Sequence, residues 1–417
     1  LEKRCCPCIH RQGENKVHKR SVNIDKLLTH RIFAIPIFLG IMALVFWLTF
    51  GVLGPFCNDW MSIGVQWLTN AVNSLLLNAG VHQLLRSLII DGAFAGVGAI
   101  LSFLPTIIIL FFFLSLLEDS GYMARVAFVF DHTLQKFGLS GRAFVPMLIG
   151  FGCSVPAIMA TRTLGSKRDK QMTIMLIPFM SCSAKLPIYS VFTMAFFPDN
   201  SALVMITLYI LGIAVGIISA LFLNRFKLKG ESVPFIMELP SYRLPSRRNM
   251  AMDLWDKTKD FITRAFTIIF MASIVVWFLQ SFDFSLKAVA DSSQSILASL
   301  GRVIAPVFTP LGFGNWESAT ALVTGLLSKE TVISTFSVLL GAGDAGAVAA
   351  ALPGMFTSLS AFSFLVFTLL YMPCVAAFAV TRRELGSLWG ALKTGAFQTA
   401  VAWLCALLVY QIGSILL

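Results

Sequence analysis

Long apolar runs separated by short polar loops make up most of this chain. The runs at 32–54, 88–117, 202–223, the shorter 265–280, and 395–417 read as helical membrane spans. About 20 consecutive, predominantly apolar residues cover the hydrocarbon core of a bilayer as a helix. Segment 171–197 reads as a further span interrupted by Pro178 and Pro187, and 356–380 as a single span. Two stretches do not fit a plain crossing. Segment 143–161 is near the minimum spanning length, and its centre, residues 150–156, reads GFGCSVP. Glycine and proline there weaken a continuous helix. Segment 301–352 must begin and end on one side, and it carries Lys329-Glu330 after an apolar run.

Basic residues set the orientation, because Lys and Arg are retained in cytoplasmic loops. The N-terminal stretch, with Lys3, Arg4, Arg11, Lys16, Lys19, Arg20, Lys26 and Arg31, is expected inside. Segment 55–85 has Trp60 and Trp67 but no Lys or Arg, as suits an outer, partly interfacial stretch. Arg125, Lys136 and Arg142 precede 143–161, and Arg162, Lys167, Arg168 and Lys170 follow it, so both its ends are expected inside. A re-entrant hairpin or broken helix satisfies this, since non-helical backbone at membrane depth survives where protein shields it or it lines a cavity. The polar stretch 225–264 is cytoplasmic on the same grounds, and 252–262 (MDLWDKTKDFI) could lie on the surface as an amphipathic helix. The expected organisation is a cytoplasmic linker at 1–30, a first transmembrane half at 31–224, a cytoplasmic loop and amphipathic helix at 225–264, and a second half at 265–417.

The two irregular segments resemble each other. Gly150-Phe151-Gly152 recurs as Gly312-Phe313-Gly314, 162 positions later. At the same offset Ala157 meets Ala319, Leu164 meets Leu326, Ser166 meets Ser328, Lys167 meets Lys329 and Thr173 meets Thr335. A competing echo sets CSVPAIMATRTLGS (153–166) against CVAAFAVTRRELGS (374–387) with a one-residue slip. Matching interrupted helices in two halves point to a transporter's binding site. The charge pattern makes the first hairpin enter from inside and the second from outside, an inverted repeat. Chance similarity between Gly-, Ala- and Leu-rich segments is the alternative.

Composition agrees with the spans. Of 417 residues, 57% are hydrophobic and 13% charged, too little polar surface for an ordinary soluble domain. The net charge of +11 lies in a few loops and reports orientation; no nucleic-acid module is visible. Of eight cysteines, Cys153, Cys182, Cys374 and Cys405 lie in or beside apolar segments, which argues against a secreted disulfide framework. The chain begins at Leu1 and its first apolar run only at Ile32, so no signal peptide is expected, and it reads as a piece of something longer.

Candidate chemistry gathers at the helix breakers. Cys153 sits among glycines and a proline, Cys182 lies in PFMSCSAKLP (178–187) near Lys185, and Cys374 follows Met372-Pro373. Sulfur ligands suit Cu(I), Zn(II) and Fe(II); a free Cys is otherwise a small buried hydrophobe. Glu118-Asp119 end the run 88–117. They admit either a functional role at membrane depth or capping and pairing with Arg125. Lys185, Lys329-Glu330, Asn315 and Glu317 carry the same ambiguity. Cys5-Cys6-Pro7-Cys8-Ile9-His10 looks like a metal clip but lacks a second ligand pair. No G-x-x-x-x-G-K-[ST], H-E-x-x-H or G-x-S-x-G motif occurs, so P-loop nucleotide binding and common hydrolase chemistry lack their parts.

Six motifs carry a family resemblance: LEDSGYMARVAFVFD (117–131), GFGCSVPAIMATRTL (150–164), IPFMSCSAKLPIY (177–189), PFIMELPSYRLP (234–245), PLGFGNWESATALVTGLLSKE (310–330) and YMPCVAAFAVTRRELG (371–386). In order and content they resemble the membrane domain of ferrous iron transport protein B (FeoB), from about residue 20 onward. The resemblance implies an all-α polytopic membrane protein with two Gate-type inverted repeats, importing Fe2+ across a bacterial inner membrane, its N-terminus cytoplasmic. It is expected to be a transporter domain and not an enzyme. The resemblance maps path cysteines onto Cys153, Cys182 and Cys374, and the acidic pair onto Glu118 and Asp119. Gly150, Gly152, Pro156, Ser181, Lys185, Gly312, Gly314, Asn315 and Glu330 become candidates to line or gate the path. Family members begin with GTP-binding and helical regulatory domains, so GTP and Mg2+ would act only through a preceding region. A small cytoplasmic accessory protein and a homo-oligomer are the expected partners, beside the bilayer. The rival functions are a Gate-type nucleoside or other solute carrier, a divalent-metal transporter of different specificity, and a membrane scaffold or receptor without transport.

Overall fold

The computed structural model describes residues 33–80, 82–226, 246–285, 287, 289, 292–342 and 345–416. The linker at 1–30 with the Cys5–His10 clip and the 234–245 motif lie outside the described residues. Among the described residues the regular structure is helical, without a β-strand.

The first helix, α1 (Ala34–Asn78), does not end at residue 54 as the apolar run suggests. Pro55 cannot donate a backbone hydrogen bond, and its ring clashes with the carbonyl four residues back. The helix absorbs this by widening into a π turn over Trp47–Leu53, where Gly54 N–H reaches Thr49 O, five residues back. A Cβ on Gly54 would overlap Thr49 O and crowd Thr106 Oγ1, so glycine also lets α1 meet the next helix. That helix, α2 (Ala95–Asp119), follows a π turn at Leu88–Phe94. It bends by 78° into α3 (Tyr122–Lys136) at Gly121, whose φ of +78° favours glycine.

The expected interruption of 143–161 is present: α4 (Phe144–Gly152) stops, Cys153 is extended, and α5 (Ser154–Ala160) restarts and packs against α4. Segment 171–197 becomes α6 (Lys167–Leu176) and α7 (Leu186–Phe196), and α8 (Ser201–Phe226) follows. The stretch 252–262 is helical, but nothing separates it from 265–280. No breaker lies at the polar-to-apolar junction, and both form one 35-residue helix, α9 (Arg247–Ser281).

In the second half, α10 (Ile296–Phe308) runs through a 3-10 turn and bends by 105° into α11 (Trp316–Thr324). Then come α12 (Thr331–Leu339), the short α13 (Ala345–Ala351), α14 (Ser358–Leu370), α15 (Val375–Leu385) and α16 (Leu388–Leu416). Among the described residues five helical stretches are long and apolar enough to cross a membrane, or up to seven if each bent pair is one span. The two halves share a core. Phe192 of α7 stacks on Phe364 of α14 at 5.0 Å between centroids, and both meet Phe336 of α12 edge-on. Ring pairs of this kind add about 0.5–1.5 kcal/mol beyond the area they bury.

Candidate functional site

Four helix interruptions meet around that core. The first is Cys153, at φ −153° and ψ 132° between α4 and α5. Gly152 beside it leaves no room for a Cβ, which would lie 2.7 Å from Leu110 of α2, whereas Gly150 sits at ordinary contact with Ile177 and Met180. Pro156 falls in the first turn of α5, where a missing N–H costs little. The second spans Met180–Cys182, after a 3-10 turn holding Pro178 and before α7, whose first turn holds Pro187. The third, at 325–330, separates α11 from α12. The fourth was not expected. It divides 356–380 at Tyr371–Cys374, and Pro373 is the signal that could have found it.

Each interruption strands carbonyls that an apolar interior cannot solvate. Two lysines, each only 3% exposed, supply the missing donors. Lys185 Nζ donates to Leu369 O at 2.6 Å and to Pro178 O at 3.1 Å. Lys329 Nζ donates to Met372 O at 2.9 Å and lies 2.9 Å from the Tyr371 ring centroid. Ser183 O–H donates to Gly152 O, and Val375 N–H to Leu326 O. Ser181 and Tyr189 share a hydrogen bond at 3.0 Å, and neither lines the cavity described next.

Where the interruptions converge they leave a cavity of about 130 Å³. Cys153, Cys182 and Cys374 all line it, together with Ser154, Ser183, Lys185, Lys329 and Glu330, while Thr106 and Leu110 of α2 close one side. The three cysteines are free thiols. Among the described residues no three His, Cys, Asp or Glu side chains are close enough together to hold a metal ion. The cavity therefore collects the thiols without assembling them into a ligand set.

Glu118 and Asp119 are not brought to this place. They end α2, where the Glu118 side chain is 59% exposed and pairs with Lys257 of α9 at 3.1 Å. Lys257 also pairs with Asp253 at 2.8 Å. Its burial opposes the charge, but the Asp253 and Glu118 carboxylates outweigh that and raise its pKa above the usual lysine value. Arg125, the other expected neighbour, donates to Gly121 O at the α2–α3 bend. Gly312, Gly314 and Asn315 build a turn and do not line the cavity. Gly312 has φ +86° and faces the Tyr410 ring, a Cβ on Gly314 would strike Thr309, and the Asn315 side chain accepts from Ser318 N–H to cap α11, whose first turn holds Glu317. The helices α5 and α11 start at Ser154 and Trp316, the same 162 positions apart as the glycine motifs.

A family model described as nucleoside recognition (Gate) matches residues 100–196 and 262–388, and one described as the C terminus of ferrous iron transport protein B matches 205–257. The Fe(2+) transporter FeoB of Staphylococcus aureus (strain COL) is 42% identical over 395 residues, 94% of this chain and 59% of that protein. The chain belongs to the FeoB family. The FeoB of Campylobacter jejuni is 40% identical over 421 residues, 98% of this chain and 67% of its own length. A Fe(2+) transport protein A/FeoB fusion from Porphyromonas gingivalis is 36% identical over 451 residues, 97% of the chain and 53% of the fusion. The chain thus spans a little over half to two thirds of the FeoB relatives it matches, and it is a multi-pass membrane protein of the Gate type.

Proposed function

We propose that this chain carries ferrous iron across a bacterial inner membrane, with its N-terminus in the cytoplasm, along a path that passes Cys153, Cys182 and Cys374. The observation that carries this is the convergence of three thiols, each from a different helix interruption, on one small cavity. Fe2+ accepts thiolate ligands, and binding displaces the thiol protons. Each cysteine itself has non-helical backbone angles at a helix interruption, so modest rotation there draws the sulfurs toward an ion. The relatives named as Fe(2+) transporters support the cargo.

Cavity size weighs against a nucleoside at the three cysteines. Sites for organic ligands run to about 300–1,000 Å³, and the thiol cavity has about 130 Å³. Control by GTP and Mg2+ belongs to a cytoplasmic domain outside this chain. A small cytoplasmic accessory protein completes the system, as the Porphyromonas gingivalis fusion supports, and the working unit is a homo-oligomer. The two Gate repeats are read as inverted. Glu118 and Asp119 serve the cytoplasmic exit, apart from the sulfur cavity.

Anaerobic Fe2+ uptake into proteoliposomes tests the thiol path. Cys153→Ser, Cys182→Ser and Cys374→Ser should each cut uptake by about 10-fold or more while the protein stays folded. Normal uptake by all three variants would make the cysteines packing residues.

A further inference from the structure

A second cavity adjoins the first and has a different chemistry. It holds about 310 Å³ and shares Thr106, Ser183 and Glu330 with the thiol cavity. Its own polar residues are Asn58 of α1 and Ser190 of α7, and neither cysteine nor lysine lines it. Thr106 O–H donates to Asn58 Oδ1 at 3.0 Å, which ties α2 to α1 across the cavity wall. The Glu330 carboxylate lines both cavities and has no hydrogen bond or ion pair among the described residues.

We propose that the second cavity is a receiving site for a hydrated divalent cation, held by Glu330 and the surrounding hydroxyl and amide oxygens. The proposal rests on the thiol cavity being the iron path. Size and lining both separate the two cavities. The oxygen-lined cavity has about 310 Å³ against about 130 Å³ for the thiol cavity, and so leaves more room for the water shell of an ion. A cation moving between them exchanges water for protein ligands, and Glu330 touches it at both stages.

Charge points the same way. Lys185 and Lys329 both line the thiol cavity, where they bond carbonyls and not carboxylates. Among the residues lining that cavity Glu330 is the acidic side chain, the group there with which an incoming cation can pair. Ligand type then divides the labour. Carboxylate, carbonyl and water suit Mg2+ and Mn2+ as well as Fe2+, whereas thiolates favour the softer ions. The oxygen cavity admits divalent cations broadly, and the thiol cavity selects among them.

The test is Mn2+ binding to the full chain in detergent micelles, read by the loss of the free aqueous Mn2+ resonance. Anaerobic Fe2+ uptake is measured alongside, with Mg2+ as competitor. Wild type and Cys153→Ser should bind Mn2+ alike. Glu330→Gln should weaken Mn2+ about 10-fold and raise the Fe2+ half-saturation concentration by a similar factor. Asn58→Leu should do so less steeply, and Glu330→Asp should recover part of both. Unchanged Mn2+ affinity in Glu330→Gln, with a native helical spectrum, overturns the proposal. So does loss of Mn2+ binding in Cys153→Ser, which would place the cation among the thiols alone. Normal Fe2+ uptake in every Cys→Ser variant alongside Glu330-dependent Mn2+ binding would instead sink the thiol path and leave the receiving site standing.

Discussion

Lys185 and Lys257 both sit beside the end of a helix, yet they use their charge differently. Lys257 meets two carboxylates at the exposed corner of α2 and α9. Lys185 meets backbone carbonyls inside the protein, from its own segment and from the end of α14. In the interior an ammonium does the work of a missing N–H, holding a helix interruption closed. At the surface it makes an ion pair that water and salt weaken. An ionisable residue next to an apolar run is thus not by itself a sign of a path. What it bonds decides.

The largest effect should come from removing the interior donor. Lys185→Met strands the carbonyls of Pro178 and Leu369 and should cost about 3 kcal/mol of stability, read as a lower thermal unfolding midpoint in detergent. If the midpoint holds, the lysine is no clamp. Gly312→Ala should cost about 1–3 kcal/mol, because it forces a side chain into φ +86° against Tyr410. A smaller change is expected at Glu384, which joins α15 to Arg162 after α5, at 2.7 Å from Nε, and to Lys170 of α6, at 2.9 Å. Glu384→Gln should cost about 1 kcal/mol, with Arg162 partly exposed and screened. Smallest is Lys257→Met, at no more than about 0.5 kcal/mol and shrinking further in salt. The Lys257 pKa is raised in the folded protein. Its contribution is therefore present below the ordinary lysine pKa of 10.5 and is lost only as pH rises above that value. A Lys257-dependent contribution that persists unchanged well above pH 10.5 would contradict the ion pairs.

The parts of this architecture written in local composition were legible in the sequence. GFGCSVP puts breakers at the centre of an apolar run, and the helix does stop at Gly152. The bend after Leu311 follows from a glycine held at positive φ. Where a neighbouring turn compensates a breaker, the signal misleads: Pro55 looks like an end, but the π turn before it lets α1 continue to Asn78. Pro373 reads as a breaker beside Cys374 while 356–380 still reads as one span, and the helix divides there. The boundary set at residue 264 marked a change of polarity without a breaker, and α9 crosses it. Cys153, Cys182 and Cys374 were recognisable as a set by their breakers. Their sharing of one cavity depends on how α5, α7 and α15 pack, which no spacing along the chain encodes. Asn58, Thr106 and Ser183 carried no signal at all, because a lone hydroxyl or amide in an apolar helix is common.

The two interior lysines converge on one helix interruption: Lys185, in the first half of the chain, reaches the end of α14 in the second, while Lys329 follows α11 and reaches Met372 within its own half. The interruption at Tyr371–Cys374 cannot loosen without stripping both lysines of an acceptor beside it. Such shared fastening works as an interlock. A protein built this way resists one-sided breathing, and with it the slow leak of small ions that a loosely closed channel would allow.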